Sequence, residues 1–153
     1  HSRIKTRMAE LGSPLAGEMS GHFFFREWFG IDDALFAAAR LCRSLAQSGR
    51  RFGAIVDDLP RYAATPELRV PCPDGQKFGI VTGIQERYRR THVISDLDGA
   101  RIEFESGWGL VRASNTEPAL VVRAEGRTPV ECEAILSELK STLAELGVPW
   151  PRD

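Results

Sequence analysis

Apolar residues recur at intervals of three and four over several stretches of this chain and alternate with polar ones over others, which divides it into helical and extended parts. Ile4, Met8 and Leu11 mark one face of a short amphipathic helix, closed by Gly12, Ser13 and Pro14. A loop-like run with two glycines follows over 15–22, and then Phe23, Phe24 and Phe25 read as a short buried strand. Ala34, Leu35, Ala38, Ala39, Leu41, Cys42, Leu45 and Ala46 restore the helical period and predict a helix over 32–48, with Asp32 or Asp33 as its cap and Gly49 at its end. Residues 50–66 mix charge, glycine and proline without a sustained period, apart from a short helix over 52–59, so a boundary belongs within 60–66.

Beyond that boundary the pattern changes. Leu68, Arg69, Val70 and Pro71 form a brief strand, and Phe78, Val81, Ile84 and Tyr88 mark a helix over 77–90. Extended runs at 93–96, 100–104, 107–112 and 119–124 are separated by turn signals at Asp98-Gly99, at Ser106-Gly107 and over 114–118, which predicts an antiparallel meander. The last helix carries Thr128 as cap, Pro129 at its first position and Glu131 to complete a capping box. Ile135, Leu139, Thr142 and Leu146 lie along one face, and Gly147 and Pro149 stop it. The fold class is α+β, with helices on one face of an antiparallel sheet and loops at its edge to carry chemistry.

Composition narrows the function classes. The 153 residues are 42% hydrophobic and 27% charged, and 20 Lys and Arg against 21 Asp and Glu leave a net charge of −1. No global cationic field exists to drive nucleic-acid or anionic-membrane binding, so an anion site must be local. The 3 cysteines, Cys42, Cys72 and Cys132, stand far apart without a Cys-x-x-Cys pair, which argues against a disulfide framework or zinc knuckle and for a reducing cytoplasm. No run approaches the roughly 20 apolar residues that span a bilayer, and the first residues lack the pattern of a signal peptide. The chain starts at His1, without an initiator Met, and enters a helical pattern at once, as an excised piece of a longer protein would.

Two loops hold the chemistry. Over 112–118, Arg112 offers paired donors to phosphate oxygens, Ser114 and Thr116 offer hydroxyls, Asn115 tolerates a left-handed turn, and the backbone amides of a tight turn can form an anion nest. The alternative is a plain polar hairpin, since these residue types are frequent turn formers. Over 17–22, Glu18, Ser20 and His22 combine a carboxylate, a hydroxyl and an imidazole, a set suited to sugar hydroxyls; the alternative there is a turn facing water. Asp96, Asp98 and Gly99 mimic a hard-cation loop, but two carboxylates beside a hairpin glycine are better explained as a turn.

Taken together, G-E-M-S-G-H, F-F-F, W-F-G and a helix opening D-D, followed by G-W-G-L-V-R-A-S-N-T-E-P, resemble the C-terminal part of the α-D-phosphohexomutases, in particular the bacterial phosphomannomutase/phosphoglucomutase group. The resemblance covers nearly the whole chain. It implies that residues 1–62 are the end of an incomplete α/β domain 3 with the sugar-binding loop. Residues 63–153 are then domain 4, a TATA-binding-protein-like fold with the phosphate-binding loop.

The resemblance further implies an isomerase. A phosphoserine donates its phosphoryl group to a mannose or glucose phosphate, the bisphosphorylated intermediate turns around, and the serine takes a phosphoryl group back from the other position. Glu18 and Ser20 would hold ring hydroxyls, while Arg112, Ser114, Asn115 and Thr116 would clamp the phosphate that is not reacting. His22 would stand beside the sugar as a candidate for proton transfer, and His1 would also reach the ligand. The family's catalytic serine, in T-A-S-H-N-P, and its magnesium loop, D-G-D-G-D-R, do not occur in this sequence. The missing partners would be domains 1 and 2 and the start of domain 3, and the chain alone would show no turnover. A phosphoglucosamine mutase fragment and a non-catalytic phosphosugar-binding module are the alternative readings.

Overall fold

The computed structural model describes residues 2–18 and 20–151, in two compact units that part between Pro60 and Arg61. In the first, helix α1 (Ser2–Leu11) stops where Gly12 takes a left-handed φ of 60°. Strand β1 (Leu15–Gly17) pairs antiparallel with β2 (Phe23–Phe25), Leu15 opposite Phe25 and Gly17 opposite Phe23. Residues 15–17, expected in a loop, are therefore extended, because the Phe strand needs a backbone partner and its own upstream residues supply one. Helix α2 (Ala34–Ser48) is capped by Asp33 rather than Asp32: its Oδ1 accepts from the amides of Leu35 at 2.9 Å and Phe36 at 3.0 Å. The Phe36 amide, the Trp28 indole and the Leu35 amide hold the Asp33 carboxyl below the ordinary aspartate range against a smaller opposing effect of desolvation. A six-residue helix, α3 (Phe52–Asp57), closes this unit.

The second unit is built on a sheet. Strands β3 (Ala63–Ala64) and β4 (Leu68–Pro71) both pair with β8 (Ala119–Gly126), which pairs in turn with β7 (Gly107–Ala113), β6 (Ala100–Phe104) and β5 (Ile94–Ser95), all antiparallel. The meander expected from the alternation is therefore present. Helix α4 runs Asp74–Tyr88, opening three residues before the expected start, because the Pro73 carbonyl in an extended conformation accepts from the amides of Gln76 and Lys77 and begins the first turn. Helix α5 (Pro129–Glu145) opens as its sequence requires, with the Thr128 hydroxyl accepting from the Glu131 amide at 3.2 Å.

Strand alternation sends Val70, Ala100, Ile102, Val111, Leu120, Val122 and Ala124 to one face, where they pack with Val81, Ile84 and Tyr88 of α4 and Ile135, Leu136, Leu139 and Leu143 of α5. Each fully buried Leu or Ile there contributes about 1.5–3 kcal/mol. Two glycines make the close packing possible. A Cβ on Gly107 would lie 1.9 Å from the Glu125 carbonyl oxygen across the strand pair, and one on Gly109 would lie 2.9 Å from Leu139 Cδ1 under α5.

The other face is polar, and its register sets Arg69 of β4 and Arg112 of β7 on either side of Val121 of β8. The acidic pair near residue 97 belongs to the β5–β6 turn, in which Gly99 has a φ of 96° and Asp96 pairs with Arg89 at 2.9 Å. No cluster of metal-ligating side chains occurs among the described residues.

Candidate functional site: two polar hairpin loops

The first loop joins β1 to β2. The Glu18 amide donates to the His22 carbonyl at 2.9 Å and the Gly21 amide to the Glu18 carbonyl at 2.9 Å, with Gly21 at a φ of 87°. That tight turn brings three side chains together: Ser20 Oγ lies 3.0 Å from Glu18 Oε2 and 2.8 Å from His22 Nδ1. One hydroxyl hydrogen serves one of two acceptors, so a serine donating to the carboxylate accepts from Nδ1–H of the imidazole. In that arrangement Ser20 is not primed as a nucleophile, since its proton points at a carboxylate and its neighbouring nitrogen is a donor. Desolvation pushes the Glu18 carboxyl up, but hydrogen bonding and nearby positive charge, Ser20 and His22 included, hold it below the ordinary glutamate range. The result is an anionic acceptor beside a hydroxyl and an imidazole, the equipment for gripping neighbouring hydroxyls of a polyol. Met19 and His1 lie outside the described residues.

The second loop joins β7 to β8 and ends against the start of α4. Arg112 is the last residue but one of β7, and its Nη2 lies 3.6 Å from Glu67 Oε2, while Glu67 Oε1 accepts from Arg69 at 2.8 Å and Glu117 accepts from the same Arg69 at 2.5 Å. Two guanidiniums on the open sheet face are thus bridged by one carboxylate, a chemical stand-in for a doubly coordinated anion. Sequence reasoning singled out Arg112 and missed Arg69 and Glu67. Their signal is the β4–β8–β7 register, which a linear reading does not contain.

Ser114 is buried, with 4% of its surface exposed. Its amide donates to the Ala119 carbonyl at 2.9 Å, and its Oγ accepts from the amides of Thr116 at 3.4 Å and Glu117 at 3.2 Å. Of the amides expected to form an anion nest, two are thus turned inward onto Ser114, while Asn115 and Thr116 present exposed side chains at the tip. Beneath them Lys77, 5% exposed, donates to Asp74 Oδ1 at 2.6 Å, to the Ser114 carbonyl at 2.6 Å and to the Glu117 carbonyl at 3.1 Å.

Comparison with known proteins assigns both units. Residues 1–62 match the alpha/beta/alpha domain III of phosphoglucomutase/phosphomannomutase, and residues 67–141 match the C-terminal domain of the same enzymes. The chain belongs to the phosphoglucomutase/phosphomannomutase family. It is 43% identical over 156 residues to the phosphomannomutase/phosphoglucomutase of Pseudomonas aeruginosa, covering 98% of this chain and 34% of that protein. It is 43% identical over 157 residues to a phosphoglucomutase of Neisseria gonorrhoeae, covering 99% and 34%. A crystal structure of a phosphoglucomutase/phosphomannomutase family protein from Burkholderia thailandensis superposes with a TM-score of 0.81 at 33% identity, covering 99% of this chain and 33% of that one. The chain therefore spans about a third of the length of these relatives and corresponds to their C-terminal part. A probable phosphoglucosamine mutase of Methanocella arvoryzae matches at 32% identity over 141 residues.

Proposed function

We propose that this chain supplies the sugar-binding and phosphate-binding loops of a phosphomannomutase/phosphoglucomutase, which moves a phosphoryl group reversibly between the 1- and 6-positions of glucose or mannose. The observation that carries this reading is the second loop. A β-hairpin tip with Arg112 at its root, backed by a buried cation and braced by a serine, is built to hold a dianionic group. Arg112 exchanges the Glu67 carboxylate for phosphate oxygens, with Asn115 and Thr116 completing the grip. Ser114 shapes the turn from beneath.

Glu18 and Ser20 bind ring hydroxyls. Because a hexose presents neighbouring hydroxyls whichever phosphorylated end is reacting, one short loop serves both orientations of the bisphosphorylated intermediate. His22, held through Nδ1 on Ser20, is the proton-transfer candidate of that loop. Magnesium belongs to the family's chemistry, but no metal-ligating cluster occurs among the described residues, and none of these binding roles runs through it. The resident thiols Cys42, Cys72 and Cys132 are unpaired, which supports a cytoplasmic home.

Titration of the chain with glucose 1-phosphate and mannose 1-phosphate tests the reading. Arg112→Ala should weaken binding by about 2 kcal/mol or more, roughly 30-fold, through loss of a charge-assisted contact. A turnover assay with magnesium and a bisphosphate activator should give none from this chain alone. Equal affinity of wild type and Arg112→Ala would defeat the phosphate assignment, and turnover in a clean preparation would defeat the assignment of catalysis to other parts of the enzyme.

A further inference from the structure

We propose that Lys77 is the positioning residue of the phosphate loop: from inside the domain it fixes the peptide planes at the hairpin tip so that the Asn115 amide faces the bound phosphate. This deepens the proposed function and rests on it.

The geometry is specific. A lysine ammonium carries three N–H donors, and Lys77 has three acceptors within reach: Asp74 Oδ1 at 2.6 Å, the Ser114 carbonyl at 2.6 Å and the Glu117 carbonyl at 3.1 Å. The latter two carbonyls bracket the loop, one entering its tip and one leaving it. With the side chain 6% exposed, the amino group is committed to these partners and does not compete for water. Burial of so polar a group is costly unless every donor is paired, and here the pairing is made with the loop itself.

Peptide planarity then does the rest. All peptide bonds in the described chain are trans, so a carbonyl and the amide that follows it point in opposite directions. The Ser114 carbonyl turned down onto Lys77 therefore turns the Asn115 N–H up and out of the loop. The next two amides are drawn the other way, onto Ser114 Oγ. Asn115 is left as the tip amide aimed at a ligand, with a buried positive charge directly behind the peptide that carries it. An amide backed by a fixed cation is a preorganised donor for an oxyanion. Neither Asp74 nor Lys77 belongs to the polar face that carries Arg112, which is why the device is invisible among the loop's own residues.

The test is an NMR titration of the 15N-labelled chain with glucose 1-phosphate, and separately with inorganic phosphate, on wild type, Lys77→Met and a packing control, Ile135→Val. In wild type the Asn115 amide should move downfield together with the Arg112 Nε signal. Lys77→Met should bind at least 10-fold more weakly, while Ile135→Val, destabilised in the core away from the loop, should keep wild-type affinity. A folded Lys77→Met that binds as wild type does would overturn the proposal, as would wild-type binding in which Arg112 responds and the Asn115 amide does not. The second measurement needs no variant, so it decides the matter even if Lys77→Met fails to fold. Absence of any response in wild type would remove the phosphate-loop reading and this inference with it.

Discussion

Replacing Ser114 by alanine separates a hydroxyl that builds the phosphate loop from one that merely lines it. In the folded chain this Oγ accepts two backbone amides, from Thr116 at 3.4 Å and Glu117 at 3.2 Å. A neutral hydrogen bond contributes a net of roughly 0.5–1.5 kcal/mol, and bonds this long belong at the lower end. The amides released by the substitution sit on exposed residues and recover solvent, so the full penalty of stranded buried donors is not incurred. The hydroxyl's own desolvation is relieved, and its small volume leaves little cavity. The sum is a loss of about 1 kcal/mol, equivalent to a fall of about 4–8 °C in Tm for a unit of this size.

Because the loop is then less ordered before it meets a ligand, phosphate affinity should drop by a similar amount, about 5-fold. Urea denaturation followed by tryptophan fluorescence, together with the glucose 1-phosphate titration, reads both quantities. A stability loss of 3 kcal/mol or more would mean that the two amides are sealed from water in solution. No loss at all would mean that the Ser114 bonds are idle. The first result would refute the recovery of solvent by the released amides, and the second would refute the assignment of Ser114 to loop architecture.

Two further expectations concern the sheet that holds this loop in place. Tyr88, buried between α4 and α5, has its phenol pushed up to about 12 by burial, with Glu138 adding to the shift and the Thr142 hydroxyl opposing it. An unfolded tyrosine loses its proton near 10, so between there and about 12 the folded chain binds more protons and its stability falls as pH rises. Tyr88→Phe should cost about 1–2 kcal/mol at neutral pH through the lost bonds to Glu138 and Thr142 and should abolish this alkaline slope; a pH series of urea midpoints showing the same slope in both proteins would contradict it. Gly107→Ala should lose about 2–3 kcal/mol, because its Cβ would meet backbone rather than a side chain able to yield. Gly109→Ala should lose less, since Leu139 can rotate away, and the reverse order in denaturation midpoints would disprove the account.

Much of this architecture was legible before any coordinates. Alternation in the stretch from 100 to 124 and the capping grammar around Thr128 dictate backbone conformation locally, and the meander and α5 follow from them. The two polar loops were legible for a different reason: several chemically active residue types crowd into a few positions, and their order resembles one enzyme family. What stayed hidden depends on register or on the third dimension. The pairing of 15–17 with the Phe strand is set by partners six to ten residues away, and the Arg69–Glu67–Arg112 bridge exists only because β4 and β7 flank β8. Nothing in the neighbourhood of Lys77 along the chain says that residues 114 and 117 fold back over it.

The two loops also rest on foundations of unequal strength, and this decides which measurements are informative. In the second unit the strands and both helices contribute to one contiguous apolar cluster, from Val70 to Val148. In the first, Met8 and Phe24 are the buried apolar side chains among the described residues, whereas Leu35 is 83% exposed, Phe29 82% and Leu11 64%. No residue of α2 is buried, although that helix has the most regular apolar spacing in its half of the chain. A 15-residue helix in which Phe36 packs on Trp28 and Phe25 but no residue is buried gains little from burial with which to offset the entropy of ordering it. The hairpin that gathers Glu18, Ser20 and His22 therefore depends on few internal contacts of its own unit, while the phosphate loop is braced from below by Lys77 and from within by Ser114. Denaturation of this chain consequently reports on the second unit, and a thermodynamic account of the loop over 114–118 can be complete within residues 61–153.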